Sequence, residues 1–140
     1  MILFCDDEPF MSDTYVDALV RAGFAVELVS LTTEALPRFR EKVNTIELAI
    51  VDIMASVKPP YPPEVDLSRV EGGLRTGEEI LRLMNATAEG RRVPKLILTN
   101  ISNIDFYRVY ENNLAIRGCY RKPETLPSEL VGIVRRILGR

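Results

Sequence analysis

The chain contains no histidine. That absence excludes Ser-His-Asp triads, imidazole general bases and a phosphohistidine carried by the chain itself. A phosphoryl group handled here must therefore arrive from outside. Cysteine is nearly as scarce: Cys5 and Cys119 are the only two, both lie inside apolar runs, and without histidine or further cysteine they cannot complete a zinc site. Buried, reduced thiols are expected. No apolar run approaches the ~20 residues of a membrane span, and Asp6-Asp7-Glu8 interrupts the N-terminus where a signal peptide needs its apolar stretch. The expectations are no membrane contact and a cytoplasmic location. Strong charge of either sign is lacking as well: the formal net charge is −2, the pI is about 5.3, and the one notable basic cluster is Arg135-Arg136 with Arg140. Direct binding of nucleic acid is not expected.

What is present is a set of apolar runs that end in reactive side chains. Ile2-Leu3-Phe4-Cys5 runs into Asp6-Asp7, Leu48-Ala49-Ile50-Val51 into Asp52, Leu96-Ile97-Leu98 into Thr99, and Gly118-Cys119-Tyr120 into Arg121-Lys122. A length of 140 residues, 46% of them apolar, suits one domain over residues 1–140 with a core on both faces of a sheet.

Between the runs the apolar spacing turns helical. A helix is expected from about Pro9 to Ala22, closed by Gly23, followed by a β-rich stretch from Ala25 to Val29. Thr32-Thr33 opens a segment with Leu36, Phe39 and Val43 on one face, in which Pro37 weakens the helix or shifts its start. Further helices are expected from about Thr76 to Glu89, Asp105 to Asn112, and Ser128 to Leu138. Five alternations of strand and helix predict an α/β fold with a parallel, doubly wound sheet. Residues 53–75 break the rhythm, because strand-to-helix connections usually take about 2 to 6 residues. Within this long insertion, Lys58-Pro59-Pro60-Tyr61-Pro62-Pro63 reads as extended polyproline and Glu71-Gly72-Gly73 as a flexible exit.

If the runs are parallel strands, their ends open on one edge, where open α/β sheets bind ligands. Three carboxylates, a hydroxyl and an ammonium then share one crevice, a set suited to a divalent cation and a phosphoryl group. Mg²⁺ prefers oxygen ligands and keeps several waters, so one or two carboxylates and a backbone carbonyl suffice. Asp52 is the candidate nucleophile, Asp6-Asp7 the candidate metal-holding pair, Thr99 a hydroxyl donor and Lys122 a charge partner. Taken singly each residue has a plainer reading: Asp6-Asp7-Glu8 before Pro9 as a helix cap, Asp52 as a loop or capping residue, Thr99 as a turn hydroxyl, Lys122-Pro123 as a solvated turn. Their joint placement at successive strand ends favours the shared site.

Through Asp6-Asp7, Asp52, Thr99, Tyr120 and Lys122-Pro123, with Gly77 and Gly118, the whole chain resembles the receiver domain of bacterial two-component response regulators. The resemblance, not the residues alone, implies a flavodoxin-like sheet of strand order 2-1-3-4-5. It also implies that Asp52 is phosphorylated by a histidine kinase or phosphotransfer protein. Mg²⁺ would be held by Asp7, Asp52 and the Met54 backbone carbonyl, and by Asp6 through water. It further implies that Thr99 and Tyr120 act as a switch, that Lys122 pairs with the phosphoryl group, and that the face of helix 4, strand 5 and helix 5 binds an output protein or a second copy. On this reading the chain is a signalling domain and not an enzyme.

Three features depart from the pattern: Asn100 follows Thr99 where a small residue is usual, Met54-Ala55 lacks the common proline, and the 53–75 loop is long. Two alternatives stand beside the first reading. One is a pseudo-receiver, an interaction module that is not phosphorylated. The other is a Mg²⁺-dependent phosphatase of the haloacid dehalogenase type, which Ile53-Met54 opposes because that family has an acid two residues after its nucleophile.

Overall fold

The computed structural model describes residues 1–55, 61–102 and 115–140, with the side chains of residues 9–11 excepted. Strand β1 (Ile2–Cys5), helix α1 (Pro9–Arg21), β2 (Val26–Val29), α2 (Ala35–Glu41) and β3 (Leu48–Val51) follow in order. After β3 come a short α3 (Leu67–Val70), a 3-10 turn (Glu71–Gly73), α4 (Thr76–Met84) and α5 (Ala88–Arg92). Strand β4 (Lys95–Thr99), β5 (Ile116–Arg121), a 3-10 turn (Lys122–Glu124) and α6 (Pro127–Leu138) complete the described chain. The five strands form one parallel sheet in the order β2-β1-β3-β4-β5.

Both faces of the sheet are buried, which is why β1 and β3 are continuous apolar runs with no polar alternation. Side chains still alternate between faces. Leu3, Cys5, Ala49, Val51 and Ile97 pack with residues of α2, α3 and α4, whereas Ile2, Phe4, Leu48, Ile50, Leu96 and Leu98 pack with Tyr15 and Leu19 of α1 and Leu130 and Val134 of α6.

Several boundaries differ from the sequence expectation for local reasons. Helix α1 ends where Gly23 takes a positive φ of 98°, as its glycine suggests. Helix α2 starts at Ala35, so that Pro37 falls in the first turn, where a missing N–H removes no helical bond; Val43 lies beyond its end. The helix expected over Thr76 to Glu89 is two helices, because α4 stops at Met84 and Thr87 begins α5 by accepting from the Gly90 N–H at 3.0 Å. Strand β5 begins at Ile116, two residues before Gly118.

The described residues of the insertion are also more ordered than expected. Val65 and Val70 enter the core, Asp66 caps α3, and the Ala55 N–H donates to the Gly73 carbonyl at 3.0 Å. The Glu71–Gly73 exit is a 3-10 turn with positive φ at Glu71, Gly72 and Gly73. Part of the polyproline stretch and the helix expected over Asp105 to Asn112 lie outside the described residues. Among the described residues, no helix is long and apolar enough to cross a membrane.

Candidate functional site at the strand tips

The parallel sheet delivers the site. Asp6 and Asp52 immediately follow β1 and β3, whose last residues Cys5 and Val51 pair in register, so the two acids leave the sheet side by side. Thr99 is the last residue of β4 and pairs with Arg121, the last of β5, which places Lys122 next to it. The Lys122 ammonium donates to Asp6 Oδ2 at 2.7 Å and to Asp52 Oδ2 at 3.0 Å. The side chains of Lys122 and Asp6 are fully enclosed, and that of Asp52 is 4% exposed. Backbone groups hold the second oxygen of each acid: the Glu8 N–H donates to Asp6 Oδ1 at 2.8 Å and the Ile53 N–H to Asp52 Oδ1 at 2.7 Å.

Two buried carboxylates thus share one ammonium, and the cluster is one positive charge short. Burial pushes the Asp52 carboxyl up to about 6; Asp6 adds to the rise, and Lys122 and a hydrogen bond with Thr99 offset only part of it. For Lys122, burial alone would lower the pKa, but the Asp52 and Asp6 carboxylates outweigh it and the ammonium is held above its ordinary value. Such a pocket favours an added positive charge.

Asp7 does not join this cluster as its neighbour does. Its Oδ1 accepts from the Leu31 N–H at 2.8 Å and from Ser30 Oγ at 2.7 Å, fastening the turn after β2. Among the described residues, no three acidic or thiol groups are gathered closely enough to hold a metal ion by themselves. The donor chemistry nevertheless fits Mg²⁺: the groups are hard oxygens, the cup is short of positive charge, and the ion keeps most of its waters with one or two direct carboxylates. Met54, whose backbone carbonyl was the third expected ligand, follows Ile53 and is 36% exposed.

Gly77 fixes how closely α4 approaches Asp52. Its N–H donates to the Ile53 carbonyl at 2.8 Å, and a Cβ there would lie 1.9 Å from the Asp52 carbonyl oxygen. Gly118 does the same for Tyr120, since a Cβ on it would lie 2.7 Å from the Tyr120 ring. Tyr120 is partly buried against the α1–α6 side of the core. The strand-5 part of the expected partner face is therefore described, and its helix-4 part is not.

Two residues not expected at the site take part in it. Tyr15 on α1 donates to the Thr125 carbonyl at 2.6 Å and lies 3.0 Å from that of Lys122, pinning the loop that carries the lysine. Glu8 makes no capping bond with its side chain. Its Oε2 instead lies 3.8 Å from the Lys122 ammonium and accepts from Asn100 Nδ2 at 3.4 Å. Nothing in the spacing of Glu8 separated it from a helix cap; its role depends on which way one rotamer points.

This is the fold of response-regulator receiver domains. A putative response regulator from Chloroflexus aurantiacus aligns over 99% of this chain and 97% of its own, with a TM-score of 0.72 and 22% identity. The chemotaxis response regulator CheY4 of Vibrio cholerae aligns over 98% and 97%, with a TM-score of 0.72 and 19% identity. The receiver domain of NtrX from Brucella abortus aligns over 99% and 98%, with a TM-score of 0.72 and 16% identity. No family model matches the sequence, and no curated protein matches it.

Proposed function

We propose that the chain is a two-component receiver domain that accepts a phosphoryl group on Asp52 from a histidine kinase or phosphotransfer protein, with Mg²⁺, and thereby changes its binding to an output protein or to a second copy. The observation that carries this reading is the enclosed Lys122 ammonium bridging Asp6 and Asp52 at the tips of three strands. A carboxylate oxygen of Asp52 attacks phosphorus, the bond from phosphorus to the donor atom breaks, and its electron pair leaves with the donor. Lys122 is already within reach to transfer one of its N–H bonds to a new phosphoryl oxygen, and the Thr99 hydroxyl can follow. Asp7, Asp52 and the Met54 carbonyl, with Asp6 through water, would hold Mg²⁺, which would neutralise part of the phosphoryl charge. Tyr120 and the β5 face would report the change.

The test is to incubate the folded protein with Mg²⁺ and acetyl phosphate, or with beryllofluoride, beside Asp52→Asn. A phosphoryl adduct of the intact protein that disappears in D52N supports the proposal, as does beryllofluoride binding that depends on Asp52. A folded protein that forms no adduct with either reagent, or one that turns over a phosphate ester, rejects it.

A further inference from the structure

We propose that Glu8 is a charge gate on the acceptor, slowing phosphoryl transfer from small anionic donors; the inference rests on the phosphoacceptor reading of Asp52 and deepens it. Lys122 is fully enclosed, whereas the Glu8 side chain is 54% exposed and lies 3.8 Å from the ammonium, so Glu8 stands on the solvent side of the buried cluster. Its backbone is fixed there. The N–H donates to Asp6 Oδ1, and the carbonyl accepts from Ser12 Oγ at 2.6 Å and from the Ser12 N–H at 3.1 Å. Asn100, the residue after Thr99, donates to Glu8 Oε2. The contact straps the end of β1 to the end of β4 across the acceptor.

A third carboxylate facing Lys122 competes for the ammonium that an incoming phosphoryl group needs, and it repels that group directly. In transfer from acetyl phosphate, an Asp52 oxygen bonds to phosphorus while the bond from phosphorus to the acyl oxygen breaks and acetate leaves with the electron pair. Acetyl phosphate is a dianion at neutral pH. Phosphoramidate carries one fewer negative charge there and meets less of the repulsion. A protein donor can cancel the penalty by presenting a cation to Glu8.

Glu8→Gln keeps the shape of the side chain and its acceptor for Asn100, and removes only the charge. With the full chain at neutral pH and saturating Mg²⁺, E8Q should form adduct about fivefold or more faster than the unsubstituted protein with acetyl phosphate, with a smaller gain from phosphoramidate. Equal rates for the two proteins with acetyl phosphate, or equal gains with both donors, would overturn the gate while leaving the phosphoacceptor reading in place. Failure of both folded proteins to form adduct with either donor would instead remove that reading and the gate with it.

Discussion

At the scale of single residues, Asp52 occupies a position where its charge opposes folding. The carboxyl is 4% exposed and sits beside Asp6, so its pKa rises from an ordinary 3.8 to about 6. Because the folded state then binds the proton more tightly than the unfolded chain, Asp52 contributes stability at low pH that is lost as pH rises between about 4 and 6. Asp52→Asn removes the charge and leaves Asp6 and Lys122 as a neutral pair. It should stabilise the protein at neutral pH by about 1–3 kcal/mol and flatten the stability profile across that window, measured by urea unfolding at several pH values. The position of Asp52 at a strand end was legible in the sequence, because parallel strands share one edge. Its environment was not, since the enclosure depends on Lys122, which is 70 residues away along the chain.

At the scale of elements, the segment after β3 was legible as an insertion but not as a packed one. Only the fold reveals that Val65 and Val70 reach the core beside α4. The anchor is Glu79 on α4, whose side chain is 1% exposed. It receives the Asp66 N–H at 2.8 Å and two bonds from Arg82, at 2.6 and 2.8 Å. Burial would raise the Glu79 pKa, yet Arg82 and the Asp66 N–H together hold it below the usual glutamate range. Nothing in the spacing of Glu79 separates it from its neighbour Glu78. Arg40 of α2 also pairs with Glu64 in the insertion, but that pair is half exposed and adds little. Glu79→Ala should therefore cost about 1–3 kcal/mol, mainly because the Asp66 N–H loses its acceptor and the enclosed site is left unfilled. Hydrogen exchange should quicken across residues 61–75 and not in β1 or α6; equal exchange in E79A and the unsubstituted protein would show that the insertion is held some other way. Trimming the segment through Gly72 is not neutral on this view, because it removes Val65 and Val70 from the core.

At the scale of the whole molecule, the alternation of strands and helices was enough to foretell a parallel doubly wound sheet, whereas the strand order came only from the family resemblance. What the order does is bring residues 116 positions apart, Asp6 and Lys122, into one ion pair. Lys122 thereby ties the tips of β1, β3 and β5 together, and its removal leaves two buried carboxylates facing each other without a counter-ion. Lys122→Met keeps most of the side-chain volume and should still cost about 3–5 kcal/mol, the usual penalty for stripping the partner from a buried charge. A divalent cation entering the same cup would supply the missing charge. Mg²⁺ should therefore raise the thermal midpoint of K122M by more than it raises that of the unsubstituted protein, with a gain approaching about 2.7 kcal/mol when the ion is at a hundredfold excess over its Kd. Thermal unfolding with increasing MgCl₂ and a matched NaCl series separates this effect from screening. An equal response of the two proteins to Mg²⁺ would mean that the cation does not take the place of the ammonium. A larger response in K122M alone would show that ammonium and metal stabilise the same pair of acids.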